Sequence, residues 1–298
     1  MTDASFPERA VVFGRSQHLV GVLSTPPAGA GAPPPGILFI NSGIIHRVGA
    51  NRIYVRLARA LAGRGAATLR FDLSGIGDSS QPSDQLEVSR AELEQRDIDD
   101  ALALMRREGI GPLIVAGLCS GADNSLAAIA RDERVSGAVL LDPFAFRTLG
   151  YLLTYYGPRI LQPAVWWRAI TGQSPLLRTV MRAAWSKMMP RRAGGAPAVP
   201  ADLSASKAPS RDVFEARLRA LLARNARMLW VFTGGLEARY NYRDQFFDAF
   251  PRLNLRAYVD FEYIAQADHT FSREVFQQQL EARIVTWYDA TFGAVVVP

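Results

Sequence analysis

Residues 117–121 read Gly117-Leu118-Cys119-Ser120-Gly121, a G-x-nucleophile-x-G spacing with the chain's sole cysteine at its centre and a serine directly behind it. A thiolate there would attack a carbonyl carbon and hold the acyl group as a covalent intermediate. The flanking small residues answer a steric demand. In a strand–turn–helix elbow the residues two before and two after the nucleophile come close together. Centring the turn on Cys119 puts Gly117 and Gly121 at those places, whereas centring it on Ser120 would put Leu118 and Ala122 there, and a leucine would clash. Cys119 is therefore the expected nucleophile. A thiol titrates ordinarily near about 8.5, and a neighbouring imidazolium together with a helix N-terminus would lower that value. The chain has three histidines that could supply the imidazole: His18, His46 and His269.

The elements that must hold these groups alternate in period. The segments RAVVFG and HLVGVLSTP read as an antiparallel pair, and GILFIN, AATLRFD, PLIVAGL, SGAVLLD and RMLWVFTGG as short apolar strands. Amphipathic stretches separate them, RIYVRLARALAGRG and AELEQRDIDDALALMRREG among these, with apolar residues at helical spacing. The second carries acids early and arginines late, as the helix dipole favours. After residue 212 the same rhythm resumes, with DVFEARLRALLARN and YRDQFFDAF as helices, LRAYVDFEYI as the last strand and a final helix over 272–292. Alternating strands and helices predict an α/β protein with a mostly parallel sheet covered on both faces.

Four motifs stand in order along this frame: INSG after one strand, RFDLSGIGDS after the next, the GLCSG elbow, and ADHTFS after the last strand. With these the chain resembles the α/β-hydrolase superfamily over nearly its full length. The central cysteine is similar to that of dienelactone hydrolases, and the pairing of NSGIIHRVG with RFDLSGIGDS looks closer to the exosortase A system-associated hydrolases. The resemblance implies a Cys-His-acid triad in the order nucleophile, acid, base. His269, just after the last strand, takes the base position, and His18 in the early hairpin lies far from it. Glu237, three residues past Gly234, is the favoured acid, with Asp142 at the end of the preceding core strand as the alternative. Asp78 resembles the family's structural loop acid. Oxyanion stabilisation would come from the backbone amides of Ile44 and Ser120, the Ser120 side chain being incidental. His46 is a candidate pocket residue or loop hydrogen-bonder.

Three units follow: a core over 1–143, a helical lid with its linker over 144–211, and the rest of the core over 212–298. Between Phe144 and Ala201 there is no Asp or Glu, yet the stretch holds eight basic residues against a net charge of +6 for the whole chain. Its aromatic residues, Trp166 and Trp167 among them, suit an apolar acyl chain. Its arginines, Arg178 and Arg182 among them, suit phosphate on coenzyme A or an acidic acyl carrier protein. Peripheral contact with an anionic membrane is a less favoured use, and no nucleic-acid-binding module is present. No disulfide framework, metal cluster, cofactor or spanning helix is expected, and no secretion signal is legible, which makes cytoplasmic the default. The reading that results is an acyl hydrolase or thioesterase acting on an activated acyl group such as a thioester, lactone or enol ester. An acyltransferase with the same intermediate is the alternative, and a non-catalytic module binding an acyl ligand or carrier protein is the alternative of another class.

Overall fold

The computed structural model describes residues 7–26, 33–83, 88–160 and 210–293. Eight strands form one sheet in the order β1-β2-β4-β3-β5-β6-β7-β8. Strands β1 (Glu8–Phe13) and β2 (Leu19–Ser24) are antiparallel to each other, and β2 is antiparallel to β4 (Thr68–Phe71). From β4 onward every pairing is parallel: β4 with β3 (Gly36–Ile40), then β5 (Leu113–Leu118), β6 (Val135–Leu141), β7 (Arg227–Thr233) and β8 (Asp260–Ile264). The expected α/β arrangement with a mostly parallel sheet is the observed one.

Strand periodicity sorts the core onto two faces. Leu38, Ile40, Leu69, Phe71, Val115 and Leu140 belong to one cluster, which is closed by α2 (Arg90–Arg107), α3 (Ser120–Arg131) and α5 (Arg211–Ala223). Their sequence neighbours Ile37, Phe39, Ile114, Ala116, Val139 and Leu141 face the other way, against α1 (Ile53–Ala62) and α7 (Glu274–Phe292). Because both faces are covered, the central strands are apolar at every position rather than alternating; all six residues of β5 are buried.

Helix α4 (Leu149–Ile160) follows β6 and is fastened to the turn after β7. Tyr151 donates its hydroxyl to Ala238 O at 2.8 Å, and the Asn241 side chain donates back to Tyr151 O at 3.1 Å. Residues 161–209 of the expected lid, with Trp166, Trp167, Arg178 and Arg182, lie outside the described residues. The expected last strand starts late. Leu255–Ala257 form a 3-10 turn and the strand begins only at Asp260, because a Val259 N–H bond to Leu255 O brings both side chains into the core. Likewise 242–250 yields only the short α6 (Gln245–Ala249). No helix among the described residues is long and apolar enough to cross a membrane.

The loops leaving β3 and β4 are bound into one body. Asp72, fully buried, accepts from the Arg47 amide at 2.6 Å, from the Asp78 amide at 3.1 Å and from the Arg47 guanidinium, which also pairs with Asp78. Asn41 joins the same loops, accepting from Leu73 N–H at 3.2 Å and donating to Ile45 O at 2.8 Å. Removing one partner of a buried ion pair leaves the other uncompensated and costs about 3–5 kcal/mol. Asp72→Ala is expected to lower the unfolding free energy by about that amount, read as a drop in the urea midpoint with an unchanged slope.

Candidate active site

Strand β5 delivers the chain into the elbow, and the elbow leaves no room for side chains. A Cβ on Gly117 would stand 2.2 Å from the Gly121 carbonyl carbon, and one on Gly121 would stand 2.5 Å from Ile40 O and Asn41 O. Between them Cys119 adopts φ 56° and ψ −122°, a region that a residue with a Cβ occupies only under strain of order 1–3 kcal/mol. Its amide donates to Leu141 O at 2.8 Å, and its carbonyl accepts from Ala122 and Asp123 in the first turn of α3. The thiol therefore sits at the N-terminus of a twelve-residue helix, where the dipole favours negative charge.

The structure brings His269 to Cys119 and gives it Asp142, not Glu237, as partner. The His269 Nδ1–H donates to Asp142 Oδ2 at 2.8 Å. Asp142 also accepts from the Thr233 amide at 2.7 Å and the Thr233 hydroxyl at 2.6 Å. The imidazole thus bonds the alternative acid, Asp142, and not the favoured Glu237. Asp142 takes a left-handed backbone at φ 44°, and its own amide is held by Val231 O at 2.8 Å, which turns the carboxylate across the end of β7. The chain leaving β7 is committed to backbone packing instead. A Cβ on Gly234 would lie 2.0 Å from Ala265 O, and one on Gly235 would lie 2.5 Å from Asp268 Cα. Glu237 is carried past this contact to an exposed place on the turn.

The histidine's own loop is braced by a residue that the sequence reading did not assign. Asp268 accepts four hydrogen bonds, from the amides and hydroxyls of Thr270 and Ser272. Partial burial opposes its charge, yet these donors hold it down at about 2. The ADHTFS motif thus carries its own fastening, and the aspartate beside His269 is not the one that bonds the imidazole.

Charge in the site favours an ion pair. For Cys119, burial works against the thiolate, but the hydrogen bond and charge of His269, the Ser120 amide and the Arg239 guanidinium bring the thiol below its ordinary value. For His269, burial opposes the imidazolium, but Asp142 and Cys119 outweigh it and push the group up to about 9. Asp123, also in the first turn of α3, accepts from Phe144 N–H at 2.8 Å, and its burial pushes it up to about 6.

On the other side of the elbow stands the loop after β3. Tyr54, buried in α1, accepts from Leu118 N–H at 2.8 Å and donates to Ile40 O at 2.9 Å, tying the two strand ends together. Ile45 N–H closes a turn onto Ser42 O at 2.9 Å, with Gly43 and Ile44 at its tip. Ile44 is 92% exposed and its amide makes no backbone hydrogen bond among the described residues, whereas the Ser120 amide faces the Cys119 thiol. His46 is exposed on the same loop and makes no side-chain hydrogen bond among the described residues, and Asp78 sits in the clamp with Arg47. His18 is elsewhere, buried against Ser74 and Asp97. Thr233, Asp268 and Tyr54 were not foreseen. The Thr before the Gly pair and the Asp before His269 were legible as residues, but their partners are set by the packing of separate strands.

Residues 19–297 match the model of the alpha/beta hydrolase family. No curated protein matches the chain. Among solved structures, a serine hydrolase without a lid from Xanthomonas campestris is similar at 13% identity and TM-score 0.56, covering 99% of each chain. An esterase from Pyrococcus furiosus is similar at 13% identity and TM-score 0.57 over 98% of this chain and 95% of its own. Dienelactone hydrolase from Anabaena variabilis is similar at 15% identity and TM-score 0.55 over 96% of this chain and 99% of its own.

Two predictions follow from the geometry. Asp142→Asn should lower kcat for an activated ester by about 10²–10⁴-fold, because the histidine loses its orienting carboxylate, while Glu237→Gln should stay within about 3-fold; steady-state kinetics of both variants, with circular dichroism as the folding control, decide the matter. The second concerns pH. Thiolate forms as pH rises through the lowered Cys119 value, and imidazolium is lost as pH rises through about 9. Ester turnover should therefore be bell-shaped, with its alkaline limb near about 9, whereas alkylation of Cys119 by iodoacetamide, which needs no proton donor, should show the acid limb alone. His269→Asn should shift that limb to higher pH.

Proposed function

The chain belongs to the alpha/beta hydrolase family, and on that premise we propose that it is an acyl hydrolase working through an acyl-cysteine intermediate. Cys119 is the nucleophile, His269 the proton carrier and Asp142 the orienting acid. The observation that carries this reading is that His269 bonds Asp142 at 2.8 Å and stands close enough to Cys119 to lower its thiol.

In the proposed reaction the Cys119 thiolate attacks the acyl carbon. The carbonyl oxygen takes up negative charge, and the amides of Ser120 and Ile44 stabilise it. Collapse breaks the bond to the leaving oxygen or sulfur, which receives its proton from the His269 imidazolium. Neutral His269 then removes a proton from water as the water attacks the thioester. The acid leaves, and the thiolate–imidazolium pair is restored. A serine would need its proton removed in the same event as attack, whereas a thiolate is present before substrate arrives. That difference supports substrates whose carbonyl is already activated, such as thioesters, lactones and enol esters. Donors on coenzyme A or an acyl carrier protein fall within this class, although Arg178 and Arg182, expected to meet their charge, lie outside the described residues.

The test is intact-mass analysis after incubation with a panel of activated esters and acyl thioesters. Wild-type protein should gain one acyl group on Cys119, and Cys119→Ala should gain none and lose turnover. Cys119→Ser should keep at most weak esterase activity. Suppression of acid release by an added amine or alcohol, with formation of the new amide or ester, would reassign the protein as an acyltransferase. Absence of an adduct and of turnover with every donor would leave it a binding protein.

A further inference from the structure

The Ser120 side chain bridges the two halves of the site. Its Oγ accepts a hydrogen bond from the Gly43 amide at 2.7 Å, across 77 residues of chain. Gly43 and Ile44 are the tip of the loop after β3, and little else restrains that tip. Ile44 is 92% exposed, and a Cβ placed on Gly43 would meet nothing within 4 Å. Below the tip the loop is firmly held, by the Asn41 bond to Ile45 O, by the Asp72 bond to the Arg47 amide and by the Tyr54 bond to Ile40 O. Among the described residues, the Ser120 hydroxyl is the hydrogen-bonding group that fastens the tip itself to the elbow.

We infer that Ser120 is a positioning residue whose hydroxyl anchors the Gly43 amide and thereby holds the adjacent Ile44 amide where a developing oxyanion needs it. One residue then serves both donors of the hole, offering its own amide directly and fixing the second donor through its side chain. The Gly43 amide, occupied by Ser120 Oγ, is the anchor, and the Ile44 amide one residue on is the donor. A preorganised donor stabilises charge without reorienting during the reaction, and loss of a whole oxyanion donor costs about 10²–10³-fold. Loss of its anchor alone should cost less. This inference deepens the reading of Cys119 as nucleophile and rests on it.

Two reagents separate the anchor from the thiolate. In acylation by p-nitrophenyl acetate the thiolate adds to the carbonyl, the acetyl group passes to Sγ and p-nitrophenolate departs, so the rate depends on the oxyanion hole. In alkylation by iodoacetamide the thiolate displaces iodide from a methylene carbon, and no oxyanion forms. Ser120→Ala should acylate about 10- to 100-fold more slowly than wild type, by burst kinetics and intact mass, while its alkylation rate at the same pH stays within about 2-fold. Ser120→Thr, which keeps a hydroxyl at this place, should recover most of the acylation rate. Unchanged acylation in Ser120→Ala overturns the inference, as does an equal fall in alkylation, which would mean a damaged elbow. Failure of threonine to restore the rate overturns it too. If wild-type protein is alkylated at Cys119 but never acetylated there, the nucleophile assignment itself fails.

Discussion

Backbone can approach backbone at the elbow because Gly117 and Gly121 carry no side chains, and the other features of the site are arranged around that contact. Packing of Gly117 against Gly121 lets α3 start directly above β5, and packing of Gly121 against the carbonyls of Ile40 and Asn41 brings the end of β3 to the same point. Cys119 is thereby forced to a positive φ directly past the end of β5. The strain is held by the amide bond to Leu141 O and by the first-turn bonds of α3. A methyl group at either glycine would separate Cys119 from both the helix dipole and the loop that faces it.

Electrostatics then act on a thiol that geometry has already placed. The imidazole lies between two anionic partners, so its charged form is favoured despite burial, and the same pairing lowers the thiol. The buried Asp142 carboxylate is met by Thr233 as well as by His269. An exposed acid on a turn, such as Glu237, would be screened by water and would orient the ring poorly. Burial strengthens the pair and also makes it dependent on a full set of hydrogen-bond donors.

The loops around the nucleophile are stiff for a different reason. Asp72 accepts from four groups on two loops, and Asp268 accepts from four on one. Each carboxylate replaces backbone hydrogen bonds that an irregular segment cannot make for itself. The resemblance of RFDLSGIGDS and NSGIIHRVG to a family pairing has a physical counterpart in the Asp72–Arg47–Asp78 cluster, which joins the two motifs directly.

The sequence alone was sufficient for whatever depends on neighbours along the chain. Strand and helix order followed from periodicity, and the centre of the close turn followed from which residues could tolerate it, since Leu118 could not stand where Gly117 does. The choice of His269 as the proposed base rests on motif order and the scarcity of histidines. The imidazole's partner was not decidable in this way, because Asp142 and Glu237 both follow strand ends, and spacing carries no information on which carboxylate turns toward the ring. That choice was made by a left-handed Asp142 backbone, a Thr233 hydroxyl and a glycine pair that admits the histidine loop, all of which meet only when β6, β7 and β8 are side by side. The Ser120 hydroxyl shows the same division: its place beside the nucleophile is written in the chain, while its hold on Gly43 exists only because folding brings two segments 77 residues apart to within 2.7 Å.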